Sequence, residues 1–243
     1  MPETFEVVDM DEKINLYEML GILTGDGCMR YYPHKSVYGI EIAGNADDEV
    51  DYFEKMSVFF FEKFQKRPRI FVRYVSNGKG LKLMLHGKQI TEFFINLGIK
   101  PAKTYTAEIP LCVKEWEQAK YFIRGLFETD GSLYFSKSKK INYPSHPRLE
   151  IKTASPQLAI RFYNLLASQK YPIQFRHDGI TSRVYPSGSE MLERLANEIG
   201  FNSEKNNTKH LLWKQLGFYV PKISLLERKS MLKKHSQILA QVL

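Results

Sequence analysis

The sequence is short of cysteine and of acid, and it has no long apolar run. Its two cysteines, Cys28 and Cys112, form no CxxC pair in 243 residues, which excludes both a disulfide framework and a zinc ribbon. Its six histidines fall at no metal-ligand spacing. No apolar stretch approaches the roughly 18–20 residues that a transmembrane helix needs. The start, MPETFEVVDMDEKIN, is acidic and polar, where a signal peptide is basic and then apolar. A soluble chain is expected, cytoplasmic or in another intracellular compartment, with no membrane partner. The acid deficit says more. Against 35 Lys and Arg stand 27 Asp and Glu, a net charge of +8. That balance favours a polyanionic partner, nucleic acid first; a basic protein that binds none is the plain alternative. Hydrophobic residues make up 43% and charged residues 26%, the mixture of a chain that builds a core. The length suits one large domain or two of roughly 120 residues.

The apolar period predicts a helix over 12–25, with Ile14, Tyr17, Leu20 and Leu23 near one stripe, ended by Asp26-Gly27. Strands follow over 29–32 and 37–43 around Pro33. A long helix is predicted over 45–65, with Asn45 or Asp47 as N-cap. Its MSVFFFEKF stretch is read as a core face. Strands over 69–75 and 81–85 flank Asn77-Gly78, a hairpin signal, and a helix over 88–97 is closed by Gly98. The order then restarts. A helix over 115–129 ends at Asp130-Gly131, and strands over 133–137 and 149–153 follow. Ser155-Pro156 opens a helix to Ser168. Strands over 173–177 and 180–184 turn at Asp178-Gly179, and a helix over 189–199 is closed by Gly200. Each half therefore reads helix, two strands, helix, two strands, helix.

The register of the repeat is close. Gly21 and Gly125, like Asp26 and Asp130, lie 104 residues apart; LGIKPAK (97–103) answers IGFNSEK (199–205) at 102. Self-similarity on this scale means two copies of one unit facing each other. Gly21 and Gly25 are four residues apart, as are Gly125 and Thr129, so each pair shares a helix face. Small residues there let two backbones approach closely. If these faces meet about a pseudo-dyad, Asp26 and Asp130 come side by side at two helix ends. Carboxylates so placed repel each other and the helix dipole, a cost that a hard divalent cation such as Mg²⁺ relieves. Two such metals can activate water and stabilise the leaving oxygen in phosphodiester cleavage. For one Asp-Gly alone, a turn after a helix is the simpler account.

The two segments, MLGILTGDG (19–27) and IRGLFETDG (123–131), resemble the paired motifs of LAGLIDADG homing endonucleases in single-chain form. The likeness covers residues 12–200. It implies an α+β fold of tandem αββαββα repeats related by a pseudo-twofold, with the motif helices at the interface. Each four-stranded antiparallel sheet would form half of a saddle over DNA. The repeats would occupy 12–100 and 115–201, with 101–114 as linker and 202–243 as a C-terminal extension. It further implies that Asp26 and Asp130 bind metal, assisted by the carbonyls of Gly25 and Thr129, with Mg²⁺ as cofactor and Mn²⁺ or Ca²⁺ able to take the same site. Lys103 and Lys205 match the lysine that follows the third helix in such proteins, where it would stabilise phosphate charge. One departure stands out. Some members carry Gln or Lys at the end of the second strand, where this chain has Gly44-Asn45 and Ala154-Ser155. The resemblance therefore carries DNA binding further than cleavage.

Strand alternation marks the surface that would meet DNA. In the first half it gathers Arg67, Arg69, Arg73, Lys82 and His86, with Arg30, Tyr32 and Glu41 as further candidates. In the second it gathers Arg148, Glu150, Lys152, Gln174, Arg176 and Arg183, with Tyr134, Ser136 and Lys137 as further candidates. Arginine and lysine read guanine in the major groove, while Gln and Glu read other base edges. The halves differ at these positions, so a long, pseudo-palindromic duplex is the expected partner. Residues 223–243 read as a basic amphipathic helix. The leading expectation is a site-specific, metal-dependent, double-strand DNA endonuclease, monomeric because both halves share one chain. The ends lack the Cys/Ser and His-Asn of a self-splicing intein, which points to a freestanding or intron-encoded protein. An intron maturase binding RNA and a DNA-binding regulator with weakened nuclease activity stay open.

Overall fold

A computed structural model describes residues 12–75, 78–137, 143–186 and 188–242. Two four-stranded antiparallel sheets follow one another along the chain, giving the α+β tandem that the repeat implies. The first half runs α1 (Leu16–Thr24), β1 (Gly27–Tyr32), β2 (Val37–Asn45), α2 (Val50–Phe64), β3 (Arg69–Val75), β4 (Gly78–His86) and α3 (Lys88–Asn96). The second runs α4 (Trp116–Asp130), β5 (Gly131–Lys137), β6 (Pro144–Thr153), α5 (Pro156–Ser168), β7 (Ile173–Asp178), β8 (Thr181–Pro186) and α6 (Ser189–Glu198). Strand order is β1-β2-β4-β3 and β5-β6-β8-β7.

Two helix starts differ from the periodicity reading, each for a local reason. Helix α1 begins at Leu16, because Asn15 Oδ1 accepts from the Glu18 amide at 3.0 Å and caps the helix there. Helix α2 begins only at Val50. Asn45 is the last residue of β2, and its Oδ1 accepts from the Asp47 amide at 2.8 Å, forming a turn instead of a cap. The cap position falls to Glu49. Ser155 caps α5 as expected, accepting from the Leu158 amide. Asn77 of the Asn77-Gly78 turn lies outside the described residues.

Register fixes which face each strand residue occupies. Ile42 pairs with Leu83, and Leu83 with Ile70; Leu149 pairs with Leu133, and Ile151 with Val184. These residues turn toward the helices, and all but the half-buried Ile70 are fully inside the core. Met56, Phe59 and Phe60 of α2 are buried, whereas Phe61 lies at the surface. Phe60, Phe64, Phe93 and Phe94 meet edge-on or tilted across α2 and α3.

Two segments read loosely from sequence are ordered. Residues 101–114 hold a 3-10 turn (Lys103–Tyr105), and Ala107 and Ile109 are buried in the core. Beyond residue 201 the helix predicted over 223–243 is α8 (Leu225–Val242), and a helix that sequence reasoning missed, α7 (Glu204–Leu216), precedes it, closed by Gly217 in the left-handed region (φ 74°). The buried Arg228 ties α8 down: it donates to Thr208 Oγ1 on α7 and to Asp48 Oδ1 in the first half, both at 2.9 Å. Among the described residues, no helix is long and apolar enough to cross a membrane.

Candidate metal centre and nucleic-acid interface

Helices α1 and α4 form the principal helix-to-helix contact of the molecule. Their glycines explain why. A Cβ placed on Gly21 would lie 2.1 Å from the Phe122 carbonyl oxygen; one on Gly125 would lie 2.0 Å from that of Glu18. The two clashes are symmetry mates, since residues 18 and 122 share the motif offset. Both backbones therefore touch, and only glycine fits either crossing position. After each aspartate the same holds along the chain. A Cβ on Gly27 would strike the Leu23 carbonyl, and one on Gly131 that of Phe127, so glycine allows each helix to turn directly into a strand.

This crossing brings the two aspartates to one place. Asp26 follows Gly25, the C-terminal cap of α1, and Asp130 is the last residue of α4. A Cβ on Gly25 would come within 2.0 Å of Thr129 Oγ1 and 3.5 Å of the Asp130 carboxyl carbon. Among the described residues, neither carboxylate accepts a hydrogen bond. Asp26 keeps an exposed edge, yet it is pushed up to about 6 by the protein packed around it, then by Asp130 and Glu49, against the pull of Lys103 and Lys205. Burial raises Asp130 as well, with Lys103 opposing. Two carboxylates that resist ionisation, without donors to quiet them, are a donor set that suits a divalent cation with phosphate and water completing its shell. No third His, Cys, Asp or Glu joins them in a ready cage among the described residues.

The two lysines differ in their partners. Lys103, on the 3-10 turn, donates to the Gly25 carbonyl. Burial lowers its ammonium, against the pull of Asp130 and Asp26. Lys205, on the first turn of α7, is held at 2.5 Å by Glu49 Oε1. There, too, burial pulls downward, but Glu49 keeps the ammonium above its ordinary value. The Gly44-Asn45 end of β2 is occupied by the same acid: Glu49 Oε2 accepts from the Asn45 amide at 2.6 Å, and a Cβ on Gly44 would collide with it. Ser155, at the matching end in the second half, is also engaged, donating to the Ala107 carbonyl at 2.7 Å.

Behind the centre lies a polar network that sequence reasoning missed. Glu18 (0% exposed) faces Arg124 (4% exposed) at 2.7 Å, and it accepts from Tyr52 Oη and Asn202 Nδ2 at 2.9 Å. Arg124 also reaches Glu12. Burial raises Glu18 even so, against the pull of Arg124. Glu128 of α4 accepts from the Asn202 and Ser203 amides, from Ser203 Oγ and from Asn206 Nδ2, fixing the start of α7 and with it Lys205. The signal for all three was present in the sequence: Glu18, Arg124 and Glu128 are charged residues within or beside the apolar motif segments 19–25 and 122–127.

The sheet faces opposite the helices carry the predicted interface. Cross-strand register puts Arg30, Tyr32, Glu41, Lys82, His86, Arg69 and Arg73 on one face of the first sheet. Tyr134, Ser136, Arg148, Glu150, Lys152, Arg183, Arg176 and Gln174 share the corresponding face of the second. Two of the predicted residues fall elsewhere. Arg67 precedes β3, and its guanidinium stacks 4.4 Å over the Phe61 ring of α2, on the helix side. Lys137 lies past a register shift in β5 that breaks the alternation. Several basic groups already have acidic partners: Glu41 holds Arg30 and Lys82, and Asp178 holds Arg176 and Arg183. Among the described residues, Arg69, Arg73 and Lys152 are exposed on these faces and carry no ion pair.

Residues 117–200 match the model of the LAGLIDADG-like domain. A curated relative, an A-type ATP synthase polypeptide of Pyrococcus abyssi, is 30% identical over 198 residues, which is 78% of this chain; the chain spans 17% of that relative's length. Among solved structures, the meganuclease I-SmaMI bound to uncleaveable DNA superposes with a TM-score of 0.57 at 12% identity, covering 95% of this chain and 97% of that one. I-DmoI in complex with DNA and Mn gives 0.52 at 14%, over 76% and 94%. The N-terminal LAGLIDADG domain of DUF199/WhiA gives 0.52 at 16%, over 79% and 87%.

Proposed function

From a chain that carries a LAGLIDADG-like domain in its second half and has throughout the fold of the LAGLIDADG homing endonucleases, we propose a site-specific, divalent-metal-dependent DNA endonuclease that cuts both strands as a monomer. The observation that carries this reading is the meeting of Asp26 and Asp130 at the ends of two touching helices, each running directly into the first strand of a sheet with a basic face.

The carboxylates of Asp26 and Asp130, with the carbonyls of Gly25 and Thr129, would hold the cation, Mg²⁺ in the cell, with Mn²⁺ or Ca²⁺ fitting the same oxygen set. The bound cation supplies Lewis-acid charge at the phosphate and a water of lowered pKa. The chain's own residues do the rest. The sheet faces orient the duplex so that one phosphate of each strand reaches the centre. Lys103 and Lys205 stand where charge grows on the phosphoryl oxygens as the water oxygen bonds to phosphorus and the bridging P–O bond breaks. The leaving oxygen takes up a proton, and the attacking water gives one up. Lys103 must share or release the Gly25 carbonyl when the cation arrives.

A second reading, binding of DNA without cutting, draws on one observation: the second-strand ends, Asn45 and Ser155, are occupied by capping and turn bonds. Selection of cleaved duplexes from a random library in Mg²⁺ separates the two. Wild type should enrich a long, imperfect palindrome, and Asp26→Asn or Asp130→Asn should lose cutting by about 10³-fold or more while keeping affinity. Enrichment of bound but never cut duplexes would establish the second reading.

A further inference from the structure

We propose that Glu49 makes the two cleavage centres unequal, holding back Lys205 so that the strand served by Lys103 is cut first. This rests on the nuclease reading above. The two lysines follow the third helix of their halves in the same register, yet their surroundings break the pseudo-twofold. Glu49 is the cap residue of α2 and Ser155 the cap residue of α5, so the two hold the same capping position, which the first half reaches after a longer turn. In the first half that place holds a carboxylate with both oxygens engaged, one by the Asn45 amide and the other by Lys205 Nζ at 2.5 Å. Gly44 leaves the room it needs, since a Cβ there would stand 2.6 Å from Glu49 Oε2. In the second half the place holds a neutral serine committed to Ala107 and Leu158. Lys103 accordingly meets no carboxylate within ion-pair distance among the described residues and lies on a carbonyl.

A phosphate approaching Lys205 must displace a carboxylate that is itself mostly out of water (12% exposed). A phosphate approaching Lys103 displaces only a carbonyl. Both contacts use an ammonium, but only the one at Lys205 pairs it with an opposite full charge and so is the stronger; the Lys205 side engages its phosphate later. Glu49 is thus a positioning residue, acting through Lys205.

The test uses the full chain and a duplex taken from the selection, end-labelled on each strand in turn, under single-turnover conditions with Mg²⁺. Wild type should cut one strand about fivefold or more ahead of the other and pass through a nicked intermediate. Glu49→Gln should speed the slow strand about fivefold and erase the bias, and Lys205→Met should slow that strand alone. Binding gives an independent readout. With Ca²⁺ replacing Mg²⁺, Glu49→Gln should steepen the slope of log affinity against log salt by about 0.9, one added phosphate contact. Equal strand rates in wild type, or parallel slowing of both strands by Glu49→Gln, would overturn the inference. A wild type that binds and cuts neither strand defeats the nuclease reading instead; the salt slope then still decides whether Glu49 withholds Lys205 from phosphate.

Discussion

The two halves of this chain share every element in order, the same strand topology and two symmetric glycine contacts, but they divide the chemistry of their interface unevenly. Helix α1 brings Glu18 and α4 brings Arg124, where the matching residues are Phe122 and Leu20. At the seventh motif position α1 has Gly25 and α4 has Thr129, and only one of the two can carry a side chain there, because Thr129 Oγ1 fills the space a Cβ on Gly25 would need. The helix caps differ likewise, the acid Glu49 on α2 against the neutral Ser155 on α5. A homodimer must repeat each side chain on both sides of its dyad. A duplicated single chain can keep the backbone symmetric where the helices touch and set one charge against another across the axis.

The largest test of that division is the buried pair. Arg124→Met leaves Glu18 without its cation inside the core and should cost about 3–5 kcal/mol in chemical denaturation. Leu20→Met, the same position in the other half, should cost less than about 1.5 kcal/mol. Similar losses at both sites would mean that the network is as symmetric as the backbone. The glycines give the opposite expectation. Gly21→Ala and Gly125→Ala each drive a methyl into a backbone carbonyl at nearly one distance, so both should lose about 3 kcal/mol, equally within error. At the seventh position Gly25→Ala should be relieved by Thr129→Gly, a rescue visible in the melting temperature. The smallest effect concerns pH. Asp26 rises in the fold from 3.8 to about 6, so the folded chain binds its proton more tightly than the unfolded one. Without divalent metal, stability should therefore fall as pH climbs through that window and stay lowered above it. Asp26→Asn should flatten the slope and raise stability at pH 7 by about 1 kcal/mol, discounted for the solvent exposure of Asp26, or about 2–4 °C. Scanning calorimetry between pH 4 and 8 in chelator reads both numbers.

Much of this was legible in the sequence, and the reasons are physical. Glycine spacing, Asp-Gly helix ends and strand alternation are local, periodic signals, and they revealed the repeat, the pairing of the aspartates and the two basic faces. What escaped was non-local. Glu49 reads as one acid among Asp47, Asp48 and Asp51 until the fold brings Lys205 to it from the far end of the chain. Arg67 looked like the start of a strand pattern, but Pro68 follows it, and an aromatic ring on α2 captured its guanidinium. Helix α7 carries no apolar stripe for periodicity to find; its buried side is Asn206, Asn207, Thr208 and His210 alongside Leu212 and Trp213.

The clasp on the acidic loop also sets an order in time. Glu49 meets a partner 156 residues later, and Asp48 one 180 residues later. Such contacts close late, after the local turns and the sheets. During synthesis the first half emerges with Asp47, Asp48, Glu49 and Asp51 unanswered, a negative lip beside its sheet. A chain extended only through residue 200 already owns both aspartates and lacks Lys205. Its unanswered acids would repel a phosphate backbone. The acidic lip is thus answered only once α7 and α8 are made, and the chain must extend past Arg228 before both contacts can form.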